Sequence, residues 1–599
     1  MSDDMSEQTS PSPSDRLRML QAQSRSNLAT LIAQRSSSRF ALSDERVPEE
    51  AQDRVLVVVY PQDPFVGEPE VRTMSAADIR PGLSNERIQM QDDRSELAQP
   101  DRDGNYMFWP GSPQFDQVNA FYYATFTLRM YERYARRPLP WSFPSTLLTI
   151  DPHVGDEANA FYSEQDRMLG FHNFQLDGET VSTAWSADIV SHETAHAILD
   201  GLRDLYNESF GLGPMAFHES FGDMTAMLVA LHDDSLVRRL LEWTKNDLRL
   251  DNFVASVAEQ LTDALIRDTV GYLRGHTVYL RNAINSLRSE PFDALAYNPT
   301  DPELQLGLQS HNYSRLFTGA FYDILAGIYD QRSQSLPAHI AIYQARNLAA
   351  HMLVAAIELG PVGEFDFRDM AKAFLSADLV LNDGHHEGIL KRVFEQRNLL
   401  TAADADAFLQ QMRALPELEL PKTINSPLDA AAFLEEKVMP ALKIDPNADL
   451  VPMAAYRNSA GYAYLTYFSP HRIVLTGPQY GEFDGANVDM FGGLTLMFDQ
   501  KGKLRSSVYR PVSQEDIRQI RKMTYELVKR GLVADTNQID QPGDREKTPL
   551  GLMVPLTQVA KGFRQLVKFP VTIDHMPARI SDFVEYLDKM RTKSGLGKG

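Results

Sequence analysis

The sequence predicts an α+β fold: a strand-bearing first part, a helical second part and a smaller α+β domain after them. Three observations carry that expectation. Short buried-strand signals open the folded chain at Val55-Leu56-Val57-Val58-Val59 and return from Leu147 to Ile150. From about residue 185 to 412 the apolar period turns helical, broken by Gly, Pro and Asn loops near 211–214, 291–302 and 360–363. Beyond a linker punctuated by Pro416, Pro421 and Pro427, strand and helix signals alternate again. At 599 residues the chain is also too long for a single core.

In chain order, residues 1–54 hold serine and charge with scattered leucine, including Ser36-Ser37-Ser38. They read as a disordered N-terminal arm with one transient helix from Asp15 to Gln34. The first folded part is bounded at 55–205. Within it, apolar residues recur at helical spacing from Phe115 to Arg136, and Arg137-Pro138 ends the run. The helical part follows at 206–412. An accessory domain at 425–599 begins with a helix near 428–442, then strands near 460–467 and 472–476. A hairpin from Leu494 to Val508 turns at Asp499-Gln500-Lys501-Gly502, and a helix runs from Gln514 to Arg530 with Arg521-Lys522 on a solvated face. Tyr462, Tyr464 and Phe468 share one face at period two with Tyr467 opposite, a sheet face rather than a stacking platform. No internal repeat is visible.

Charge and composition narrow the function. Lys and Arg number 59 against 81 Asp and Glu, a formal charge of −22, so a basic face for nucleic acid or an anionic membrane is not expected. There is no cysteine, which removes disulfides, thiolate metal ligands, iron–sulfur clusters and a cysteine nucleophile. Any metal must be held by His, Asp or Glu. The most apolar tract, Leu348 to Ile357, contains His351 and is stopped by Gly360-Pro361, short of the ~18 apolar residues of a membrane span. No basic segment followed by an apolar run opens the chain. The expectation is a soluble protein, cytoplasmic or exported without a recognisable signal peptide, with its oligomeric state left open.

The sharpest signal is Ser191-His192-Glu193-Thr194-Ala195-His196. Two histidines four residues apart share one face of a helix and can converge on a single metal, while Glu193 is turned towards the water side as a general base. In a chain with 14 histidines, chance yields such a motif on the order of a few hundredths of a time. A third ligand is offered by Met215-Ala216-Phe217-His218-Glu219-Ser220-Phe221-Gly222-Asp223, where Glu219 and Asp223 again share one helix face. Glu219 completes a His₂Glu zinc site with its fourth position left to water, and Asp223 can accept the free ring N–H of a ligand histidine and fix its tautomer. His218 competes as a ligand, but lies about 100° round the helix from Glu219. Asp383-Gly384-His385-His386-Glu387 reads as a loop and helix start carrying solvated polar groups, because adjacent histidines on a helix point apart.

These residues resemble the thermolysin-like (gluzincin) zinc metallopeptidases, in the same order across about 115–410. The resemblance implies a two-lobed metallopeptidase, with a β-rich N-terminal lobe at 55–205 ending in the zinc helix and a helical C-terminal lobe at 206–412. The domain at 425–599 lies outside it and is expected to cover or extend the active-site region. Asn159-Ala160-Phe161-Tyr162 resembles the family's edge strand, whose Asn side chain and Ala backbone hold the substrate as an added strand. Tyr206 resembles the tyrosine that donates to the oxyanion, and His311 the histidine that stabilises the tetrahedral intermediate. Arg288, in Asn285-Ser286-Leu287-Arg288-Ser289, resembles the arginine that grips a substrate carbonyl. Asp188, four before His192, matches a position that ligates calcium in some members.

The chain also departs from the family. Between His196 and Glu219 lie 22 residues, a few more than is usual, and His218 stands where Asn is common. Ala230 and Arg238 fall near where acids would complete a calcium site, so Asp188 also reads as a helix N-terminal charge. The family's inhibitory pro-segment is not recognisable. The implied function is hydrolysis of a peptide or protein substrate by a zinc endopeptidase, with Glu193, His311 and Tyr206 catalytic and Asn159, Ala160 and Arg288 on the substrate backbone. One alternative is a gluzincin aminopeptidase, though no acidic amine-capturing motif precedes the zinc helix. The other is a catalytically silent binding or regulatory protein on the same scaffold, which would be expected to have lost Glu193 or a ligand.

Overall fold

The computed structural model describes residues 53–530 except 157, 177–178, 204–210, 259, 261–280, 298, 302–303, 423 and 425, together with 40–41, 533, 553–557, 564–568 and 573–574. Tyr206, the helix expected at Asp15–Gln34 and most of the 1–54 arm lie outside the described residues.

β1 (Phe40–Ala41) is a two-residue strand. β2 (Arg54–Val59) and β3 (Glu70–Ser75) form an antiparallel pair that buries Val57, Val58 and Val59. β4 (Ile88–Met90) is followed by α1 (Pro113–Ala135), close to the helix expected from Phe115 to Arg136. Pro113 suits its first turn, and Arg136 closes it in the left-handed region at φ 56°. β5 (Leu148–Gly155), β6 (Ala160–Ser163), β7 (Met168–Leu176) and β8 (Glu179–Ser182) come next.

The chain then turns helical, with α2 (Ala187–Leu202), α3 (Leu212–Ala230) and α4 (Asp234–Trp243). A short antiparallel pair, β9 (Ser256–Val257) and β10 (Arg281–Asn282), precedes α5 (Ser310–Ser333), α6 (Ala338–Leu359), α7 (Phe367–Asn382), α8 (Glu387–Gln396) and α9 (Ala402–Arg413). In the last part, α10 (Pro427–Phe433) runs through a π-helical turn into α11 (Met439–Leu442). β11 (Val451–Arg457), β12 (Ala463–Val474), β13 (Asn487–Phe498) and β14 (Leu504–Arg510) follow, then α12 (Gln514–Lys529), whose start is a capping box of Ser513 and Asp516. Three strands end the described chain: β15 (Met553–Thr557), β16 (Arg564–Lys568) and β17 (Ile573–Asp574). The protein is therefore α+β.

Two large sheets result. The first has six strands in the order β17-β6-β7-β5-β4, with β8 paired to β7. The second has seven, β1-β11-β12-β13-β16-β15, with β14 paired to β13. The two strands expected near 460–467 and 472–476 are one continuous β12, despite Pro470. Beyond Phe468, β12 has no β11 residue opposite it, and such an edge tolerates a proline that cannot donate to the ladder. Tyr464 stacks on Tyr456 with ring centroids 5.0 Å apart, while Tyr467 donates to the carbonyl of Ala430.

α1 packs on β2, β4 and β5 and also against α2, so the zinc-helix candidate is clamped between the first sheet's layer and the other helices. α2 packs on α3, α3 on α5, and α5 on α6. Among the described residues, α6 is the one helix long and apolar enough to cross a membrane. Of its apolar window 61% is buried within the fold, where it packs against α1, α5 and α7.

Candidate metal centre

The site is assembled from three helices. Ser186 starts α2 by accepting from the N–H of Ile189, and every residue of that helix is buried. His192 and His196, one turn apart, therefore present their rings inward, with centroids 4.8 Å apart and planes at 82°. α3 brings up Glu219. The two helices approach closely because Gly222 has no side chain: a Cβ there would lie 2.4 Å from Cε1 of His192. α5 contributes His311 from its first turn, with Nε2 3.3 Å from Oε2 of Glu219.

His192, His196 and Glu219 place one ligand atom each within 4.8 Å of the others, and all three are buried. Two imidazoles and a carboxylate are a donor set suited to a divalent transition metal. Among the described residues this is the one such group of three. Asp188 belongs to no such group there; it is buried at the start of α2, where Gln62 donates to it.

The surroundings orient these side chains. Nδ1 of His192 lies 3.2 Å from Oδ1 of Asp223, and Nε2 lies 3.6 Å from Oε2 of Glu219. Arg281, on β10, forks onto Asp223: Nε donates to Oδ1 and Oδ2 at 2.9 and 2.7 Å, and Nη2 to Oδ1 at 2.6 Å. Burial opposes a charged His192, but the carboxylates of Asp223 and Glu219 outweigh it and push the imidazole up to about 9. Burial likewise works against an ionised Asp223, yet Arg281 and His192 hold it below the usual carboxylate range.

The other residues singled out in the sequence fall as follows. Asn159 is buried just before β6, and its Oδ1 accepts from the N–H of Ala160. Ala160 opens β6 and pairs with Phe171; on the strand's other side, Tyr162 and Phe161 pair with Ile573 and Asp574 of β17. Arg288 is exposed, and its Nε donates to the carbonyl of Gln396 at 2.6 Å. The arginine inside the site is Arg281, which sequence reading missed. It lies 58 residues from Asp223 with no motif of its own, and only its fork onto a buried carboxylate marks it. His218 faces His196 and Asp200 rather than joining the three ligands. His386 is buried and turns to Asp378, whose Oδ2 accepts from its backbone N–H.

No protein-family model matches the chain, and no curated protein matches it. Among solved structures the chain is similar to the precursor of protealysin, a metalloproteinase from Serratia proteamaculans. The identity is 15% and the TM-score 0.34, over 52% of this chain and 87% of that one. A likeness at that level does not by itself define a common fold.

Proposed function

We propose that the protein is a zinc-dependent metallopeptidase, acting as an endopeptidase. The observation that carries this reading is the convergence of His192, His196 and Glu219 within 4.8 Å, with Glu193 buried on the same helical turn. Two imidazoles and one carboxylate leave a position open on a tetrahedral zinc, the pattern of catalytic rather than structural sites. Bound there, zinc supplies Lewis acidity at neutral pH.

The chain's own residues divide the remaining work. Glu193 takes the proton of the attacking water as its oxygen bonds to the peptide carbonyl carbon, then gives that proton to the amine nitrogen as the C–N bond breaks. His311, beside Glu219, donates to the oxygen that becomes anionic, a role shared with Tyr206 by the family resemblance. Asp223, gripped by Arg281, lies against Nδ1 of His192 and orients the ring with Nε2 on the Glu219 side. The substrate adds as a strand along β6 at Asn159 and Ala160, with Arg288 assigned to its backbone by the same resemblance. Residues 55–205 and 206–412 form the protein's two thermolysin-like lobes.

The test pairs metal analysis with a quenched-peptide cleavage assay on the wild type and Glu193→Gln. One zinc per chain, with cleavage abolished and zinc retained in the variant, is the expected result. Absence of zinc from the wild type, or undiminished cleavage by the variant, overturns the proposal.

A further inference from the structure

Behind the strand assigned to the substrate lies a buried hydroxyl that the reaction does not use. Thr183 is 1% exposed and opens the short 3₁₀ turn, Thr183–Trp185, that leads from β8 to α2. Its hydroxyl accepts from the N–H of His172 on β7 at 3.0 Å and donates to the carbonyl of Asn159 at 3.0 Å; the carbonyl of His172 stands further off at 3.2 Å. The Asn159 carbonyl also accepts from the N–H of His172, at 3.3 Å. Two donors therefore hold that carbonyl on the β7 side, and the shorter of the two bonds comes from Thr183.

A trans peptide is a single plane whose C=O and N–H point to opposite sides. With the Asn159 carbonyl held inwards, the N–H of Ala160 must point to the outer edge of β6, and there it donates to Oδ1 of Asn159 at 2.9 Å. Along an antiparallel strand the backbone groups of alternate residues face the same side. Ala160 and Tyr162 thus both look outwards, and Tyr162 meets Ile573 of β17 on that edge. The inner anchor and the outer edge are two ends of one peptide. We propose that Thr183 is a positioning residue for substrate binding: its hydroxyl sets the plane of the Asn159–Ala160 peptide, and so the direction in which Ala160 and the Asn159 side chain meet the substrate backbone. A purely structural tie between β7 and the turn after β8 would instead affect stability and leave substrate affinity untouched.

This role rests on the metallopeptidase reading, and the experiment separates the two. Thr183→Val keeps the shape and removes the hydroxyl, while Thr183→Ser keeps the hydroxyl; both are made in the full-length protein. With a quenched extended peptide, Thr183→Val is expected to raise KM roughly 3–10-fold, the worth of one hydrogen bond, with kcat and zinc content unchanged. Thr183→Ser is expected to keep the wild-type KM. A second readout needs no turnover: in the Glu193→Gln background, the Kd of a fluorescent peptide, followed by anisotropy, is expected to weaken by the same factor when Thr183→Val is added. Should Thr183→Val fail to fold, Thr183→Ala is judged by the same criteria. A wild type that cleaves peptides while KM and Kd of the hydroxyl-free variant stay within about twofold overturns the role of Thr183 alone, whatever happens to its melting temperature. A KM change that Thr183→Ser shares, or one accompanied by loss of kcat or zinc, overturns it too. A wild type that binds no zinc and cleaves no peptide overturns the metallopeptidase reading, and the role of Thr183 with it.

Discussion

At the residue scale, the site depends on a missing side chain as much as on those present. A Cβ at position 222 would lie 2.4 Å from Cε1 of His192, closer than side chains pack, so Gly222 sets how nearly α3 approaches α2. Gly222→Ala must either push the His192 ring off Asp223 or part the helices, and overpacking of that kind costs about 1–3 kcal/mol. The expected outcome is loss of bound metal with helix content nearly intact, read by metal analysis beside circular dichroism. Full metal occupancy in the variant would show that the helices can part without harming the site. Arg281 acts on the opposite principle. Its fork satisfies a carboxylate that would otherwise be a lone buried charge next to His192, and Asp223 in turn can hold His192 in place.

At the scale of an element, the start of α2 carries a tension of its own. Ser186 caps it and Asp188 sits in the first turn, where negative charge suits the helix dipole. Yet Asp188 lies in the interior with Asp63. Burial pushes Asp63 up to about 6, and burial, then the Asp63 charge, pushes Asp188 well above the usual carboxylate range. A folded-state value above the unfolded one means that the folded protein holds the proton more tightly. The stabilisation is complete below the ordinary carboxylate value near ~4 and is lost as pH rises through about 6. Asp63→Asn keeps an oxygen for the N–H groups of Phe65 and Gln260 and removes the charge. The variant is expected to be more stable than wild type above that range by about 1–3 kcal/mol, with a flatter pH dependence in urea unfolding. Identical pH profiles for the two proteins would refute the shared-charge account.

At the scale of the whole molecule, the C-terminal part is not an appendage. Arg203, just past the end of α2, donates to the carbonyls of Ile357 and Glu358 and to the hydroxyls of Thr466 and Thr495 on β12 and β13. The helix carrying both candidate histidine ligands is thereby tied to the second sheet, and Tyr464, Met497 and Met523 belong to the main hydrophobic core. β17 pairs with the edge of β6 on which a substrate strand is proposed to add. Competition between the two is testable: ending the chain after residue 569 is expected to lower KM for a peptide substrate with little change in kcat. An unchanged KM would show that Ile573 and Asp574 do not compete.

What the sequence determined by itself was local. The spacings His192 to His196 and Glu219 to Asp223 put each pair on one helix face because an α-helix repeats every 3.6 residues, and that periodicity holds whatever surrounds it. The same locality made α1, α12 and the β13–β14 hairpin legible, through their apolar spacing, caps and turn residues. Position in sequence could not say which helices would meet. That Arg281 would fork onto Asp223, that His311 would stand beside Glu219, and that His218 would lodge between His196 and Asp200 was decided only by packing. So were the single β12 and the seating of β17 on β6. The reason is physical: a residue's own helix or strand fixes which neighbours share its face, whereas contacts across tens to hundreds of residues depend on how all the apolar faces bury one another together.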